Sequence, residues 1–351
     1  MKGVIGSRSV VYSCTKNMKK TFALFFLSLT PDLTKYVSQK VKDLPHRIIP
    51  GVLTKEKLDP KTEILGVFTD SKITKDVFAA LPKLQLIITF STGFDHVDLA
   101  EAKRRGIPVC NVPTYGDYTV AQHALTLILA LSKKLFESVK RVKERNYDYH
   151  GMRGFDLQGK TLGVIGTGKI GQQLIRMIQG FEMNIIAYDP FPNKVFAKEH
   201  KFPYVTLDKL LKTADIITLH VPLLKETHHL LNKKNLAKVK PSCYIINTSR
   251  GGLLDGEALL EGLQKNTIAG AGLDVLEDEE VMRDPVLIFS EKCSECRVKT
   301  SLINAMLIDH PKTIVTPHNA FNTIEAIYRI IDTSLHNLKT WRSGKTQNNV
   351  V

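Results

Sequence analysis

"LGVIGTGKIGQQL", residues 162–174, places Gly166, Gly168 and Gly171 in a G-x-G-x-x-G array. An apolar run precedes the array, and Ile170, Leu174 and Ile178 follow at helical spacing. The order predicts a strand, a tight turn and a helix. Gly166 permits the turn, Gly168 lets the backbone approach a pyrophosphate, and Gly171 lets the helix pack closely on the sheet. The next apolar run, "MNIIAYD", ends in Asp189, 18 residues after Gly171. An acid about 20 residues past the glycines takes the ribose hydroxyls of a dinucleotide. A carboxylate there repels a 2′-phosphate, so NAD is the cofactor expected. The competing reading is an Asp that only starts the turn before Pro190.

Outward from this motif the pattern repeats. "TLGVIG", "MNIIAYD", "YVTL", "DIITLHVP", "CYIINTSR", "IAGAGLDVL" and "KTIVTPH" are short apolar runs separated by helical or turn segments. Such alternation implies parallel strands covered by helices on both faces. Upstream, "MKKTFALFFLSLT" (18–30), "EILGVFT" (63–69), "LQLIITF" (84–90) and "IPVCNV" (107–112) form a second βα series, and residues 119–146 read as one long helix. The expectation is two α/β domains.

The frame agrees. At 351 residues the chain is long for one domain. With 43% hydrophobic and 24% charged residues its composition is that of an ordinary globular protein. The net charge of +14 comes from Lys and Arg spread along the chain, without the tract or aromatic interleaving of a nucleic-acid binder, so no nucleic-acid partner is expected. A basic surface also steers anionic substrates. Cys14, Cys110, Cys243, Cys293 and Cys296 make no disulfide framework, which fits a reducing, cytoplasmic setting. The pair Cys293 and Cys296 in "CSEC" lacks two further ligands and reads as an incidental loop pair, so no metal is expected. "MKKTFALFFLSLT" mimics a signal peptide but lacks a small-residue cleavage site and reads as a buried strand. The residues before Met18 read as an extension. "ALTLILAL" (124–131) is too short to span a membrane, and no membrane partner is expected.

Together, "GVIGTGKIGQ", "LHVPLLKETHHLLN", "INTSRGGLLDGEAL", "GAGLDVLEDEE" and "VTPHNAF" resemble the D-isomer-specific 2-hydroxyacid dehydrogenase family from about Lys19 onward, most closely its D-lactate dehydrogenase branch. The resemblance implies a Rossmann-like NAD domain, residues 116–321, inserted into a flavodoxin-like substrate domain made of 1–115 and 322–351. Both are doubly wound parallel sheets, with the active site in the cleft. It also implies a homodimer formed through the helix beginning near Thr119.

By the same resemblance the catalytic residues are Arg250, Glu279 and His318. An imidazole suits proton transfer because it titrates near working pH. A carboxylate beside it orients the ring and favours imidazolium. The planar guanidinium of Arg250 can hold a substrate carboxylate by two parallel hydrogen bonds. Family spacing from Asp274 selects Glu279 over Glu277, Asp278 and Glu280, although a proline common after this Glu is Glu280 here. Cofactor contacts carried over are Lys169, Ile170, Val221, Pro222, Thr227, Thr248 and Asp274, beside Gly166, Gly168, Gly171 and Asp189; His220 reads as packing. In "STGFDHVD", backbone N–H groups of Thr92 and Gly93 would bind the substrate carboxylate. Tyr115 and Phe321 match bulky residues of the lactate branch. The family's usual Glu before the helix histidine is Gln122 here, a change that touches the helix and not the proposed triad.

The function expected is NAD-dependent interconversion of a small 2-oxo acid and its D-2-hydroxy acid, pyruvate and D-lactate first. Glyoxylate or hydroxypyruvate reduction is the alternative within the class, and a non-catalytic NAD(H)-sensing protein is the alternative outside it. The interval 280–312 reads as a surface excursion with a helical turn.

Overall fold

The computed structural model describes residues 22–283 and 295–351. Cys14 and Cys293, with the expected N-terminal extension, lie outside them. The chain divides into two compact units, residues 1–115 with 323–351 and residues 116–322.

In the first unit, β1 (Ala23–Phe26), β2 (His46–Ile49), β3 (Ile64–Val67), β4 (Leu86–Thr89) and β5 (Val109–Cys110) form a parallel sheet in the order β2-β1-β3-β4-β5. β1, β3 and β4 are buried at every position, as continuous apolar runs in a sheet covered on both faces must be. β2 was not legible in the sequence: "HRII" is half polar and lies at the sheet edge. The C-terminal segment belongs to this unit because its tail hydrogen-bonds β5. Val350 N–H donates to the Val109 carbonyl at 2.9 Å, and the buried Asn337 side chain donates to the Asn111 carbonyl at 2.9 Å.

The second unit contains β6 (Thr161–Ile165), β7 (Asn184–Tyr188), β8 (Ile216–Leu219), β9 (Tyr244–Asn247), β10 (Gly270–Leu273) and β11 (Thr313–Val315), all parallel, in the order β11-β10-β9-β8-β6-β7. The expected strand "YVTL" shrinks to a single parallel bridge between Tyr204 and Ala187. Pro203 precedes it, and Thr206 already caps the helix Leu207–Thr213, its hydroxyl accepting from Lys209 N–H. The side chains alternate between two cores. Leu162 and Val164 face the helices Asp117–Ser132 and Lys169–Ile178, whereas Ile165, Ile217 and Leu219 face Leu207–Thr213 and Gly256–Gln264. That is the period-2 signature of a strand sandwiched by helices. Strand order reverses between β6 and β8, which opens a crevice beyond their carboxyl ends.

Two expectations are corrected. The helix expected over 119–146 is broken into Asp117–Ser132 and Leu135–Lys143. The Ser132 carbonyl is taken at 2.9 Å by Phe155 N–H, so the helical ladder stops, and Lys134 turns to φ +48°. The interval 280–312 is more than a surface excursion. It holds a helix, Glu295–Asp309, whose Leu307 is buried in the core with Leu259 and Leu263.

Candidate active site

The glycine turn is built as its spacing demands. Gly166 has φ +94°, open to glycine but strained for other residues, and a Cβ on it would come within 2.7 Å of the His220 carbonyl carbon and 2.8 Å of Val221 Cγ1. A Cβ on Gly171 would come within 2.2 Å of the Gly166 carbonyl oxygen, so only glycine lets the helix Lys169–Ile178 start against the turn. Around Gly168, by contrast, a Cβ would meet no protein atom within 4 Å. Gly168 is the N-cap of that helix and offers no side-chain cap. The helix therefore starts beside open space at Gly168, and an anion near a helix N-terminus is favoured by the helix dipole.

At the end of β7, Asp189 Oδ2 accepts from Thr167 N–H at 2.7 Å and the Thr167 hydroxyl at 2.9 Å, and Oδ1 accepts from Phe191 N–H at 2.8 Å. The carboxylate thus does start the turn before Pro190 and also reaches back to the glycine loop. A carboxylate has about four acceptor sites, so with three filled about one remains for a ribose hydroxyl. Thr167 is itself held by the Tyr204 hydroxyl at 2.7 Å, a link without any signature in the sequence.

Further round the crevice, the Thr227 hydroxyl closes the loop after β8 by donating to the Pro222 carbonyl at 2.6 Å. The Thr248 hydroxyl is buried without a hydrogen-bond partner, an orphan that a bound polar group would satisfy. Among the described residues, the His220 side chain hydrogen-bonds Thr218 Oγ1, at 2.9 Å, and burial pushes its pKa down to about 4. It is neutral at working pH and packs at the end of β8. Open space at Gly168, a helix start without a side-chain cap, a strand-end Asp and an orphaned hydroxyl together suit a dinucleotide.

The structure brings Glu279 and His318 together: Nδ1 of His318 lies 2.6 Å from Glu279 Oε1, with both side chains about one-quarter exposed. The neighbouring acids whose side chains are described have other partners. Glu277 meets His228 and His229, and Asp278 lies 3.6 Å from Arg297. His318 has φ +53°, and its N–H donates to the Asp274 carbonyl at 2.8 Å.

Asp274, fully buried, holds this loop with its carboxylate. Oδ1 accepts from the Thr316 hydroxyl at 2.5 Å and Asn319 N–H at 2.8 Å, and Oδ2 from Ala320 N–H at 2.8 Å. Burial pushes the Asp274 pKa up, but the hydrogen bonds from His123, Thr316, Asn319 and Ala320 outweigh it and leave the group below the usual carboxylate range. His123 is the helix histidine beside Gln122, and the sequence alone assigns it no role. Its Nε2 lies 3.1 Å from Thr316 Oγ1 and 3.4 Å from Asp274, so it supports the loop carrying His318. Only the fold brings residue 123 beside residue 316.

Arg250 follows β9, and its Nη1 donates to the Ser249 carbonyl at 2.8 Å. A Cβ on the next residue, Gly251, would come within 2.0 Å of the Leu276 carbonyl carbon and 2.2 Å of Glu277 N. Glycine there sets the Arg250 turn directly on the loop that carries Glu279. That loop is braced from below by Asn304, 2% exposed, whose side-chain amide donates to the Glu277 carbonyl at 2.7 Å.

In the other unit, the Thr92 hydroxyl donates to the Val112 carbonyl at 2.7 Å, and Asn111 Nδ2 to the Thr92 carbonyl at 2.8 Å. These bonds fix the Thr92–Gly93 segment after β4. Tyr115 and Phe321 are half-buried.

Residues 125–320 match the NAD binding domain of the D-isomer specific 2-hydroxyacid dehydrogenases. The chain is 36% identical over 286 residues to D-lactate dehydrogenase of Escherichia coli, covering 81% of this chain and 84% of that protein. It is 33% identical over 300 residues to glyoxylate reductase of Korarchaeum cryptofilum, covering 84% of each chain. The crystal structure of D-lactate dehydrogenase from Aquifex aeolicus, complexed with NAD and lactic acid, superimposes with a TM-score of 0.81 at 34% identity, covering 92% of this chain and 96% of that one.

Proposed function

The chain belongs to the D-isomer-specific 2-hydroxyacid dehydrogenase family and is an NAD-dependent oxidoreductase of 2-hydroxy acids; from that premise we propose that it interconverts pyruvate and D-lactate, with His318 exchanging the proton. The observation that supports this most is the 2.6 Å contact between His318 Nδ1 and Glu279. With Nδ1–H donated to the carboxylate, the tautomer is set and Nε2 is the nitrogen left for substrate. NAD supplies the hydride chemistry when bound. In reduction, imidazolium Nε2–H gives its proton to the carbonyl oxygen; in oxidation, neutral Nε2 takes the hydroxyl proton. Arg250 pairs with the substrate carboxylate and polarises the carbonyl. Lys169, Ile170, Gly168, Asp189, Val221, Pro222, Thr227, Thr248 and Asp274 are proposed to hold the cofactor, and Thr92 and Gly93 the substrate carboxylate.

Cofactor preference follows from Asp189. NADH should give a higher kcat/KM than NADPH, and Asp189→Ala should narrow the gap by removing the repulsion. Steady-state kinetics in which the wild type uses NADPH as well as NADH would contradict the role given to Asp189.

Substrate size is assigned, by the family resemblance, to the bulky rings of Tyr115 and Phe321, which are expected to accept a methyl group and disfavour a branched one. One methylene in an apolar pocket is worth about 1–3 kcal/mol, so pyruvate and 2-oxobutyrate should differ modestly, whereas 2-oxoisocaproate should be poor through steric overlap. Tyr115→Ala should improve kcat/KM on 2-oxoisocaproate. Glyoxylate or hydroxypyruvate giving the highest kcat/KM of the panel would favour the second reading, which the match to a glyoxylate reductase supports. A best rate with 2-oxoisocaproate contradicts the lactate assignment.

We further propose a homodimer in the cytoplasm. The helix Leu135–Lys143 leaves Leu135, Phe136, Val139 and Val142 more than 40% exposed. These positions form one helical stripe, the pattern of a face covered by a partner. Phe136→Asp should convert a dimer to a monomer in light scattering coupled to gel filtration; an unchanged mass would place the interface elsewhere. Cys110 and Cys243 are free and buried; burial pushes the Cys110 thiol up to about 11 and that of Cys243 higher still, in keeping with a reducing compartment. Among the described residues no helix is long and apolar enough to cross a membrane.

A further inference from the structure

Outside the proposed catalytic machinery, one cluster combines nitrogen and oxygen donors in a form that neither the reaction nor the core requires. His228 and His229 are consecutive, yet their rings stack with centroids 4.0 Å apart and planes at 22°. Both Nε2 atoms point to one carboxylate: His228 lies 3.3 Å from Glu277 Oε1 and His229 3.0 Å from Glu277 Oε2. A left-handed backbone at His229, φ +48°, accompanies this shared direction, which neighbours in an extended chain, pointing to opposite sides, do not have. Among the described residues, this is the group of three whose donor atoms all lie within 4.8 Å of one another.

The donors are also fixed from behind. His228 N–H donates to the Leu224 carbonyl at 2.9 Å and His229 N–H to the Gly252 carbonyl at 2.8 Å. Asn232 Nδ2 donates to the His229 carbonyl at 3.1 Å, and Asn304 Nδ2 to the Glu277 carbonyl at 2.7 Å. Such backing orients ligands and lowers the cost of ordering them. His228 is 53% exposed at its side chain, so an ion can enter from solvent.

We propose that His228, His229 and Glu277 bind a divalent transition-metal ion of the zinc class, and that its occupancy governs the catalytic loop. Two imidazoles and one carboxylate, with the remaining position open to water, are a zinc ligand set; imidazole nitrogen favours Zn²⁺, Ni²⁺ or Cu²⁺ over Mg²⁺ and Ca²⁺. Each ring coordinates through Nε2 and carries its proton on Nδ1, so binding replaces the two contacts to Glu277 with bonds to the ion. No redox step is involved. Glu277 stands two residues before Glu279, and its backbone nitrogen abuts Gly251, the neighbour of Arg250. Drawing the Glu277 carboxylate onto an ion therefore shifts the peptide shared by the acid–base pair and the arginine turn, and turnover falls.

The test is calorimetric titration of tag-free protein with ZnCl₂ alone, in a background where Cys14, Cys293 and Cys296 are serine so that thiolates do not compete. One zinc per chain is expected. His228→Ala and Glu277→Gln should each weaken binding by tenfold or more, and His336→Ala, at an exposed histidine of the other unit, should leave it unchanged. The same zinc concentrations should lower kcat of the parent at saturating NADH and pyruvate. His228→Ala should keep its activity without zinc and resist the inhibition. Wild-type affinity in both His228→Ala and Glu277→Gln overturns the site, and equal zinc inhibition of the parent and His228→Ala overturns the coupling.

Discussion

Replacing His318 by alanine should lower kcat for pyruvate reduction by about 100-fold or more, the usual worth of a positioned general acid. The loss should fall on kcat and leave NADH binding intact, because His318 is proposed to exchange the proton while the glycine turn is built from residues 165–171. That separation matters: His318 has a left-handed backbone and its N–H is bonded to the Asp274 carbonyl, so a variant that disturbed the loop could also weaken the cofactor site. Fluorescence titration with NADH distinguishes the two. A 100-fold lower kcat with unchanged NADH affinity supports proton transfer at Nε2; a wild-type kcat removes His318 from the chemistry.

The second large effect is expected at Arg250. Arg250→Lys keeps the charge and loses the planar fork. A hydrogen bond to a charged group is worth about 1.5–3 kcal/mol, so kcat/KM for pyruvate should fall by roughly 10- to 100-fold, with the loss carried largely by KM. Arg250→Ala should fall further, since it also removes the charge proposed to polarise the carbonyl. The tight seat of Gly251 against Leu276 and Glu277 makes the arginine's position depend on the backbone, and a lysine on the same backbone reaches the same region. If Arg250→Lys retains wild-type KM and kcat, the substrate carboxylate is held by another group.

Much of this was legible because local chemistry announces itself. The G-x-G-x-x-G spacing, the strand-end Asp189 and the fully apolar runs of β1, β3 and β4 each carry their own physical reason. Glu279 could be picked from four consecutive acids only through family spacing from Asp274; the structure shows that each described neighbour has a different partner. What stayed hidden were contacts between residues remote in sequence. Nothing near Lys134 signals a helix break, since the cause is Phe155 N–H taking the Ser132 carbonyl. The strand at β2 is too polar and too exposed to stand out. "YVTL" has the composition of a strand but is cut to a bridge by Pro203 and by the cap at Thr206. His123 beside Thr316, Tyr204 on Thr167 and Asn304 under Glu277 are pairings that only the folded chain creates.

The chirality of the product and the proton step together decide the D-lactate assignment. Purified protein with NADH and pyruvate, sampled as NADH absorbance falls and resolved by chiral chromatography, should yield D-lactate in one-to-one ratio with NADH consumed, and His318→Ala should cut that yield by about 100-fold or more over the same interval. L-lactate as the product, or an undiminished rate of D-lactate formation in His318→Ala, would contradict it.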